Sequence, residues 1–379
     1  MSLYTETKYT YNDIAIEPAV ISLIRHRHEC KVLDENGHLP IFASPMSTVV
    51  DLDNFELFNK NHITPILPRN IHLDIRRNFV TNGSWVAFGL SEFKDIFLDS
   101  DFNQELVNSK TTLHALIDVA NGHMALIYDY VRQAKEIYGS RLEIMVGNIA
   151  NPLTYIEAAK AGADYVRISV GTGSCCITTT QTGIHYPIAS LINETFIIKT
   201  QVEDGKHGDV ATFPKIVADG GVRNYSDVIK ALALGADYVM IGGVFASLIE
   251  SAAPLLLEDI TNNLQPIDDL KFNLKEDDGV VYNEEYKSQK YPLNFLYKEM
   301  YGMASKCGQI ALNGSKTKTS EGIKRRIPVT TNLFKWSNNM IGYLQSAMSY
   351  TNIREIKDFN PKHVDCNVIS NNSHGVINK

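Results

Sequence analysis

Short apolar runs rich in β-branched and aromatic residues recur along the chain, and helical patterns of apolar residues separate them. Eight of these runs are predicted as strands: 39–44, 62–67, 85–90, 113–119, 143–148, 164–169, 215–219 and 237–242. Strands that alternate with helices are typical of parallel βα units, and eight such units predict an α/β fold, a (β/α)8 TIM barrel. A doubly wound sheet shows the same alternation and is the alternative fold.

Two observations favour the barrel. The segment AAKAGADYVRIS at 158–169 is echoed by KALALGADYVMIG at 230–242, and barrels are built from repeated units. Polar or small residues also follow or end predicted strands; they include Ser44, Asp118, Asn148, Asp219 and Gly242. In a barrel these strand ends meet at one rim, where active sites lie.

The spacing of the strands predicts one domain with additions. Residues 1–360 are expected to form a single barrel domain, with insertions near 190–213 and 250–298. An active-site flap is expected near 303–321, and 361–379 is a C-terminal tail. The acidic segment KEDDGVVYNEEYKSQK at 275–290 has the composition of a solvated surface.

The charge pattern bears on partners and compartment. A net charge of −7 without a Lys/Arg-rich run argues against nucleic acid or an anionic membrane as the partner. The chain has no apolar run long enough to span a membrane and no apolar signal segment at its start, so a cytoplasmic location is expected. Five cysteines without C-x-x-C spacing fit neither a disulfide framework nor a zinc site, which leaves a free thiol as a candidate nucleophile.

Glycine pairs end the last two predicted strands, in VADGGV at 217–222 and MIGGVF at 240–245. Glycine lets the backbone approach a ligand closely, and the ends of strands seven and eight are the usual phosphate site of a barrel. A tight turn would explain one such pair, but two pairs at these positions predict a phosphorylated substrate. No GxGxxG motif follows an early strand, so a nicotinamide cofactor would not be held as in a Rossmann fold.

The loop VGTGSCCITTTQTGIHYP at 170–187 follows the sixth predicted strand. A cysteine among backbone NH groups can have its thiolate stabilised, and the Thr178 hydroxyl lies within reach of a reacting group. Two adjacent cysteines are also compatible with small buried side chains, and this alternative fits Cys175 better than Cys176.

This loop resembles the G-S-x-C-[IT]-T motif of the IMP dehydrogenase and GMP reductase family, with Cys176 at the position of the family's nucleophile. The likeness extends from YTYNDIAIEP at 9–18, through the segment that begins VADGGVRNYSDV, to LQSAMSYTN at 344–352. The resemblance implies that the cysteine adds to C2 of a purine nucleoside monophosphate, forming a thioimidate, while a hydride passes between C2 and a nicotinamide.

The resemblance also assigns roles to other positions. Thr178 and Glu321, in KTSEGIKRRIP, match the family's proton-donating pair. Substrate contacts are expected at Ser44, Met46, Ser174, Asp219, Gly220, Gly221, Gly242, Gly243, Tyr301, Met303 and Ser305. Cofactor contacts are expected at Asp118, Asn121 and Asn148. Backbone carbonyls of Gly171, Gly173 and Cys176 resemble a potassium-binding loop, and family members are commonly homotetramers.

Four features favour the reductase branch of the family, which converts GMP to IMP and ammonia with NADPH. They are DVANG at 118–122, the TTxxTGxxYP pattern at 178–187, the absence of an inserted regulatory domain pair, and a short flap without an Arg-Tyr pair. ASPMS, ILPRN, Ser47 and Lys318 depart from the reductase pattern. The alternatives are therefore IMP dehydrogenase, a reductase of a related 2-aminopurine nucleotide, and a nucleotide-binding protein without turnover.

Overall fold

The computed structural model describes residues 6–99, 106–258, 263–267, 274–277, 279–283, 290–314 and 317–369. Its strands, in chain order, are β1 (Ile14–Ile16), β2 (Ile41–Ala43), β3 (Thr64–Pro65), β4 (Trp85–Phe88), β5 (Leu113–Asp118), β6 (Leu142–Ile149), β7 (Tyr165–Ile168), β8 (Lys215–Asp219), β9 (Tyr238–Ile241), β10 (Leu255–Glu258), β11 (Leu264–Pro266), β12 (Leu274–Asp277), β13 (Val280–Asn283), β14 (Lys290–Pro292), β15 (Leu296–Tyr301), β16 (Lys324–Pro328) and β17 (Cys366–Val368).

Its α-helices are α1 (Phe55–Lys60), α2 (Leu73–Thr81), α3 (Leu90–Phe97), α4 (Ala125–Tyr138), α5 (Thr154–Ala161), α6 (Thr178–Thr182), α7 (Ile188–Glu203), α8 (Tyr225–Ala233), α9 (Gly243–Ala246), α10 (Lys306–Asn313) and α11 (Leu333–Tyr350). In the described part of the chain, no helix is both long and apolar enough to span a membrane.

Strands β2 to β9 form one parallel sheet in the order β3-β2-β9-β8-β7-β6-β5-β4. Its two edges meet through Leu67, whose NH donates to the carbonyl of Trp85 (2.9 Å) and whose carbonyl accepts from the NH of Ala87 (2.9 Å). The predicted (β/α)8 barrel is therefore confirmed, and all eight predicted strands overlap barrel strands. Strand β3 is shorter than predicted because Pro65 and Pro68 have no NH to donate to a neighbour.

Large side chains fill the amino-terminal half of the barrel. The buried cluster consists of Phe42, Ile66, Trp85, Ala87, Leu116, Met145, Tyr165, Val217 and Met240. The Phe42 ring lies edge-on to Trp85 and Tyr165, with centroids 5.6 and 6.1 Å apart. This half of the barrel is packed, so a ligand has room only at the carboxyl ends of the strands.

The two predicted insertions have different structures. Interval 190–213 contains most of helix α7, which buries Leu191, Ile192 and Val202 against the barrel and forms the helical layer between β7 and β8. Interval 250–298 forms antiparallel strands in two small sheets, β11-β10-β15-β16 and β12-β13-β14. A second small core that includes Leu255, Leu296 and Val329 lies beneath the first of these sheets. Residues 278 and 284–289 of the acidic segment lie outside the described residues.

Strands β15 and β16 flank the expected flap. Tyr301 pairs with Lys324 at the end of this antiparallel pair, so the chain between them leaves and returns at adjacent points. At the other end of the chain, β17 pairs with β1. Part of the expected C-terminal tail therefore lies against the barrel domain, and residues 370–379 lie outside the described residues.

Candidate active site

A cavity of about 760 Å³ lies at the carboxyl ends of the barrel strands. Most of the residues expected at a site line it: Ser44, Met46, Asn121, Asn148, Gly171, Gly173, Ser174, Cys176, Thr178, Asp219, Gly220, Gly221, Gly242, Gly243, Met303 and Glu321. Asp118, Tyr301 and Ser305 are absent from this lining. The fold thus brings together loops that are distant in the sequence.

Cys176, Thr178 and Glu321 form a chain of hydrogen bonds in this cavity. The Cys176 thiol donates to Thr178 Oγ1 (3.2 Å), and Thr178 Oγ1 donates to Glu321 Oε2 (2.8 Å). Backbone pairing holds Glu321 beside the cysteine loop. The NH of Ile177 donates to the Glu321 carbonyl (2.9 Å), and the NH of Ile323 donates to the Cys175 carbonyl (2.9 Å). A proton can therefore move between the thiol and the carboxylate through one hydroxyl.

The two adjacent cysteines differ in environment. Cys175 is 3% exposed, and burial raises the pKa of its thiol. Cys176 is half-buried and lines the cavity. Since the thiolate is the reactive form, only Cys176 combines access with a neighbouring proton acceptor.

The glycines at the end of β8 are required by their backbone conformation. Gly220 and Gly221 have φ angles of +91° and +76°, and a Cβ at Gly220 would lie 2.6 Å from Thr172 Oγ1. The NH groups of Gly220, Gly221 and Gly243 donate no hydrogen bond to any described residue. Unpaired NH groups on a cavity wall are suited to binding an anionic oxygen.

Two loops close over the end of β9. A Cβ at Gly242 would lie 2.9 Å from Met46 Sδ, and a Cβ at Gly243 would lie 2.9 Å from Ser174 Oγ. The loop after β2 and the cysteine loop therefore approach the β9 backbone so closely that these positions accommodate only glycine without displacement.

A buried cation that the sequence analysis did not identify lies beneath the cavity. Arg167 on β7 is 5% exposed; its Nη2 donates to Asp118 Oδ1 (2.7 Å), and its Nε lies 3.7 Å from Asp219 Oδ2. Asn148 Nδ2 donates to the same Asp219 oxygen (2.8 Å). The available signal was a single arginine inside the apolar strand DYVRIS, since a buried charge requires a partner.

The Asp219 carboxyl titrates abnormally. Burial raises its pKa above the usual value of 3.8, and this effect outweighs the opposing effects of Arg167 and of the Asn148 hydrogen bond. A carboxylate kept in an unfavourable environment is typical of functional sites.

The loop after β5 forms another side of the cavity. Asn121 Oδ1 accepts from the NH of His123 (3.1 Å), and the NH of Gly122 donates to the carbonyl of Asn148 (2.8 Å). His123 Nε2 accepts from the NH of Ala150 (3.1 Å), and burial lowers the pKa of this histidine. The Asn121 and Asn148 side chains are therefore held on one side of the cavity by backbone contacts.

Tyr301 and Ser305 support the flap from outside the cavity. Ser47 Oγ donates to the Tyr301 hydroxyl (3.2 Å) and lies 3.6 Å from Met303 Sδ. Ser305 is buried and caps helix α10 by accepting from the NH of Gly308 (3.1 Å). Asp118 is paired with Arg167, which is also absent from the lining.

Several lining residues were not identified from the sequence. They are Thr10, Tyr11, Asn12, His123, Thr172, His185 and Arg223, among others. The first three belong to YTYNDIAIEP, whose likeness to the family was the only signal that they lie at the site.

The fold and the cavity define a (β/α)8-barrel enzyme. Residues 101–264 match the family model described as IMP dehydrogenase / GMP reductase domain. The chain is 27% identical to a GMP reductase of Onchocerca volvulus over 376 residues, 95% of this chain and 91% of that protein. It is 26% identical to a GMP reductase of Caenorhabditis elegans, over 84% of this chain and 78% of that protein.

An inosine-5'-monophosphate dehydrogenase of Chlorobaculum parvum is 31% identical over 243 residues, which are 64% of this chain but 42% of that protein. Residues 101–264 therefore match the IMP dehydrogenase / GMP reductase domain, and the chain is an oxidoreductase.

The Asp219 environment predicts a trade-off between stability and binding. We expect Asp219→Asn to raise the free energy of unfolding of the ligand-free protein at pH 7, because the buried environment disfavours the charged carboxylate. In the variant, Arg167 keeps its shorter contact, to Asp118, so most of the electrostatic attraction on its guanidinium is retained. Denaturant unfolding with and without GMP measures the gain in stability and the expected loss of affinity.

The pH dependence gives a second check. A carboxyl group whose pKa is raised by folding binds its proton more tightly in the folded protein, so its contribution makes stability fall as pH rises from about 4. The asparagine lacks this contribution, so the gain of the variant is larger at pH 7 than at pH 4. A marked loss of stability at pH 7 would instead make Asp219 a structural residue.

Proposed function

We propose that the protein is a GMP reductase, which converts GMP to IMP and ammonia with NADPH. The observation that carries this proposal is the Cys176–Thr178–Glu321 hydrogen-bond chain inside a cavity that also exposes glycine NH groups. The nearly full-length likeness to proteins named GMP reductase supports it.

The first half of the reaction uses the hydrogen-bond chain to activate the thiol. The Cys176 proton passes through Thr178 to Glu321, and the thiolate adds to C2 of the purine. The protonated Glu321 then returns that proton through Thr178 to the 2-amino nitrogen. This nitrogen leaves as ammonia, and a thioimidate remains between Cys176 and C2.

The second half releases the enzyme. A reduced nicotinamide, when bound, would supply a hydride to C2; the carbon–sulfur bond would then break to give IMP and the Cys176 thiolate. Overall, GMP, NADPH and two protons give IMP, NADP⁺ and ammonium. One of these protons restores the Cys176 thiol and the other converts ammonia to ammonium, so no water molecule needs to be activated.

The side of the cavity formed by Asn121 and Asn148 is proposed to hold the nicotinamide. These residues suit a nicotinamide, because side-chain amides can donate to and accept from a carboxamide, and both residues line the same cavity as Cys176. Asp118 contributes by holding Arg167 beneath this side. The glycine NH groups and Ser174 are proposed to bind the phosphate, and Ser44, Met46 and Met303 the nucleoside.

IMP dehydrogenase is the second candidate, because the identity of 31% to a dehydrogenase exceeds that to the two reductases. The resemblance implies that dehydrogenases hydrolyse their thioimidate with an Arg-Tyr pair in the flap. Residues 301–321 of this chain contain no such pair. A reductase of a related 2-aminopurine nucleotide shares the proposed chemistry and differs only in substrate.

Absorbance at 340 nm distinguishes these candidates. We expect a fall with GMP plus NADPH, accompanied by ammonia, and no change with IMP plus NAD. A rise in the second mixture would identify a dehydrogenase, and silence in both would indicate another purine nucleotide or a protein without turnover. Replacing NADPH by NADH in the first mixture tests the cofactor preference.

Cys176→Ser tests the nucleophile. We expect kcat to fall at least about 10³-fold, because serine at this position is a much weaker nucleophile, while the Kd for GMP changes little. Cys175→Ala is the matched control and should retain activity, since its thiol is buried. Activity that survives in the serine variant but disappears in the alanine variant would mean that the two roles are reversed.

We also propose that a monovalent cation, K⁺, binds the carbonyl oxygens of Gly171, Gly173 and Cys176. The Gly171 carbonyl accepts from Thr179 Oγ1 (3.4 Å) and the Gly173 carbonyl from the NH of Cys176 (3.0 Å), so each retains an acceptor lone pair. KCl should therefore raise the melting temperature above its value in choline chloride at equal ionic strength. Equal melting temperatures would argue against the site.

A homotetramer is proposed for the assembly. Val20, Ile21 and Leu23 are largely exposed, and the NH of Ala19 donates to the carbonyl of Tyr350 (3.0 Å), which places this apolar segment beside the exposed Tyr350. Light scattering should give four times the chain mass of 42.4 kDa, and a monomer mass would contradict the proposal.

The proposed location is the cytoplasm. All five cysteines are free thiols, which suits a reducing compartment. Cell fractionation tests this, and recovery with an extracytoplasmic fraction would refute it.

A further inference from the structure

Tyr11 forms part of the cavity wall beside the end of β8. It begins a short 3-10 helix, Tyr11–Asp13, just before β1, and its side chain is 1% exposed. Its ring packs against Gly221, where an added Cβ would lie 3.3 Å from Tyr11 Cε2. Lys230 Nζ donates to the Tyr11 carbonyl (2.9 Å), so the residue is anchored at both its backbone and its ring.

The Tyr11 hydroxyl is buried and has no hydrogen-bond partner among the described residues. Two other buried tyrosines of this barrel are satisfied: the hydroxyl of Tyr128 donates to the Gly122 carbonyl (2.7 Å) and that of Tyr155 to the Pro214 carbonyl (2.8 Å). A buried hydroxyl without a partner is unfavourable, and native proteins seldom contain one. Because Tyr11 lines the cavity, its missing partner can be a ligand.

The surrounding groups indicate the chemistry of that ligand. The NH groups of Gly220 and Gly221 on the same wall also lack an acceptor among the described residues. Arg223 lines the cavity as well, and its guanidinium donates to Asn12 Oδ1 (2.7 Å). Burial, assisted by Asp227 and Asp219, raises the pKa of the Tyr11 phenol, so the hydroxyl stays protonated at neutral pH. The wall therefore offers hydrogen-bond donors, which suit an anion with several oxygens.

We propose that the Tyr11 hydroxyl donates a hydrogen bond to the phosphate of the bound nucleoside monophosphate. Tyr11 is then a binding residue that helps the enzyme distinguish the nucleotide from its nucleoside. The inference rests on the proposed function, because it requires that the phosphate binds at the end of β8.

Tyr11→Phe tests the proposal by removing a single oxygen atom. We expect the Kd for GMP, measured by titration calorimetry, to rise roughly 10- to 100-fold, the cost of a hydrogen bond to a charged group. The Kd for guanosine should not change. The ligand-free variant should unfold at the same or a higher denaturant concentration than the wild type, because it loses an unsatisfied buried group.

Tyr155→Phe is the matched control, since its hydroxyl bonds to the backbone before β8, at the opposite end of that strand from Gly220. It should lower stability and leave the Kd for GMP unchanged. A wild-type protein that does not bind GMP would refute the proposed function itself. If the wild type binds GMP and Tyr11→Phe binds it with the same Kd, only the role of Tyr11 is refuted. If the variant loses affinity equally for GMP and for guanosine, the hydroxyl contacts the nucleoside and not the phosphate.

Discussion

The burial of Arg167 at the mouth of the barrel is the constraint on which the site depends. A guanidinium on an interior strand position must keep at least one opposite charge beside it, because removing its last partner would leave an uncompensated buried charge, at a cost of about 3–5 kcal/mol. Asp118 and Asp219, at the ends of two other barrel strands, provide the opposite charge. Three strand ends are thereby kept polar, while the amino-terminal half of the same barrel is filled by aromatic and aliphatic side chains. The boundary between the packed half and the polar half is the floor of the cavity.

The walls of the cavity follow from this floor. Asp219 is held by Arg167 and Asn148, and the chain then turns through Gly220 and Gly221 in a conformation that leaves their NH groups directed away from protein acceptors. The other wall, the flap, depends on backbone pairing. Strands β15 and β16 bring together the two ends of the segment between them, and Glu321 reaches the cysteine loop as an extension of that pairing. The pairing of β15 with β16 thus supports the position of the Glu321 carboxylate.

The sequence predicted the fold more completely than the site. Strand positions were predictable because each apolar run is long enough to be recognised locally, and β3 was overpredicted only because its prolines limit pairing. The contact between Thr178 and Glu321 joins residues 143 positions apart, so no local pattern contains it, and only the family resemblance indicated it. Arg167 was missed because one charged residue does not disturb an apolar run. Tyr11 was missed because the lack of a hydrogen-bond partner is a property of the folded environment and not of the sequence.

The backbone pairing beside Glu321 also bears on which reaction the site favours. Hydrolysis of a thioimidate requires a water molecule and a base beside C2 after the hydride step, and therefore a rearrangement that admits both. Here the residues next to Cys176 and Glu321 are joined by two backbone hydrogen bonds of 2.9 Å, so withdrawing the carboxylate would break a paired segment. Reduction makes no such demand. The same carboxylate first accepts the thiol proton and then gives it to the departing amine, without leaving its position. A fixed Glu321 is thus an advantage for deamination and an obstacle to the entry of a water molecule and its base beside C2, which agrees with the reductase proposal.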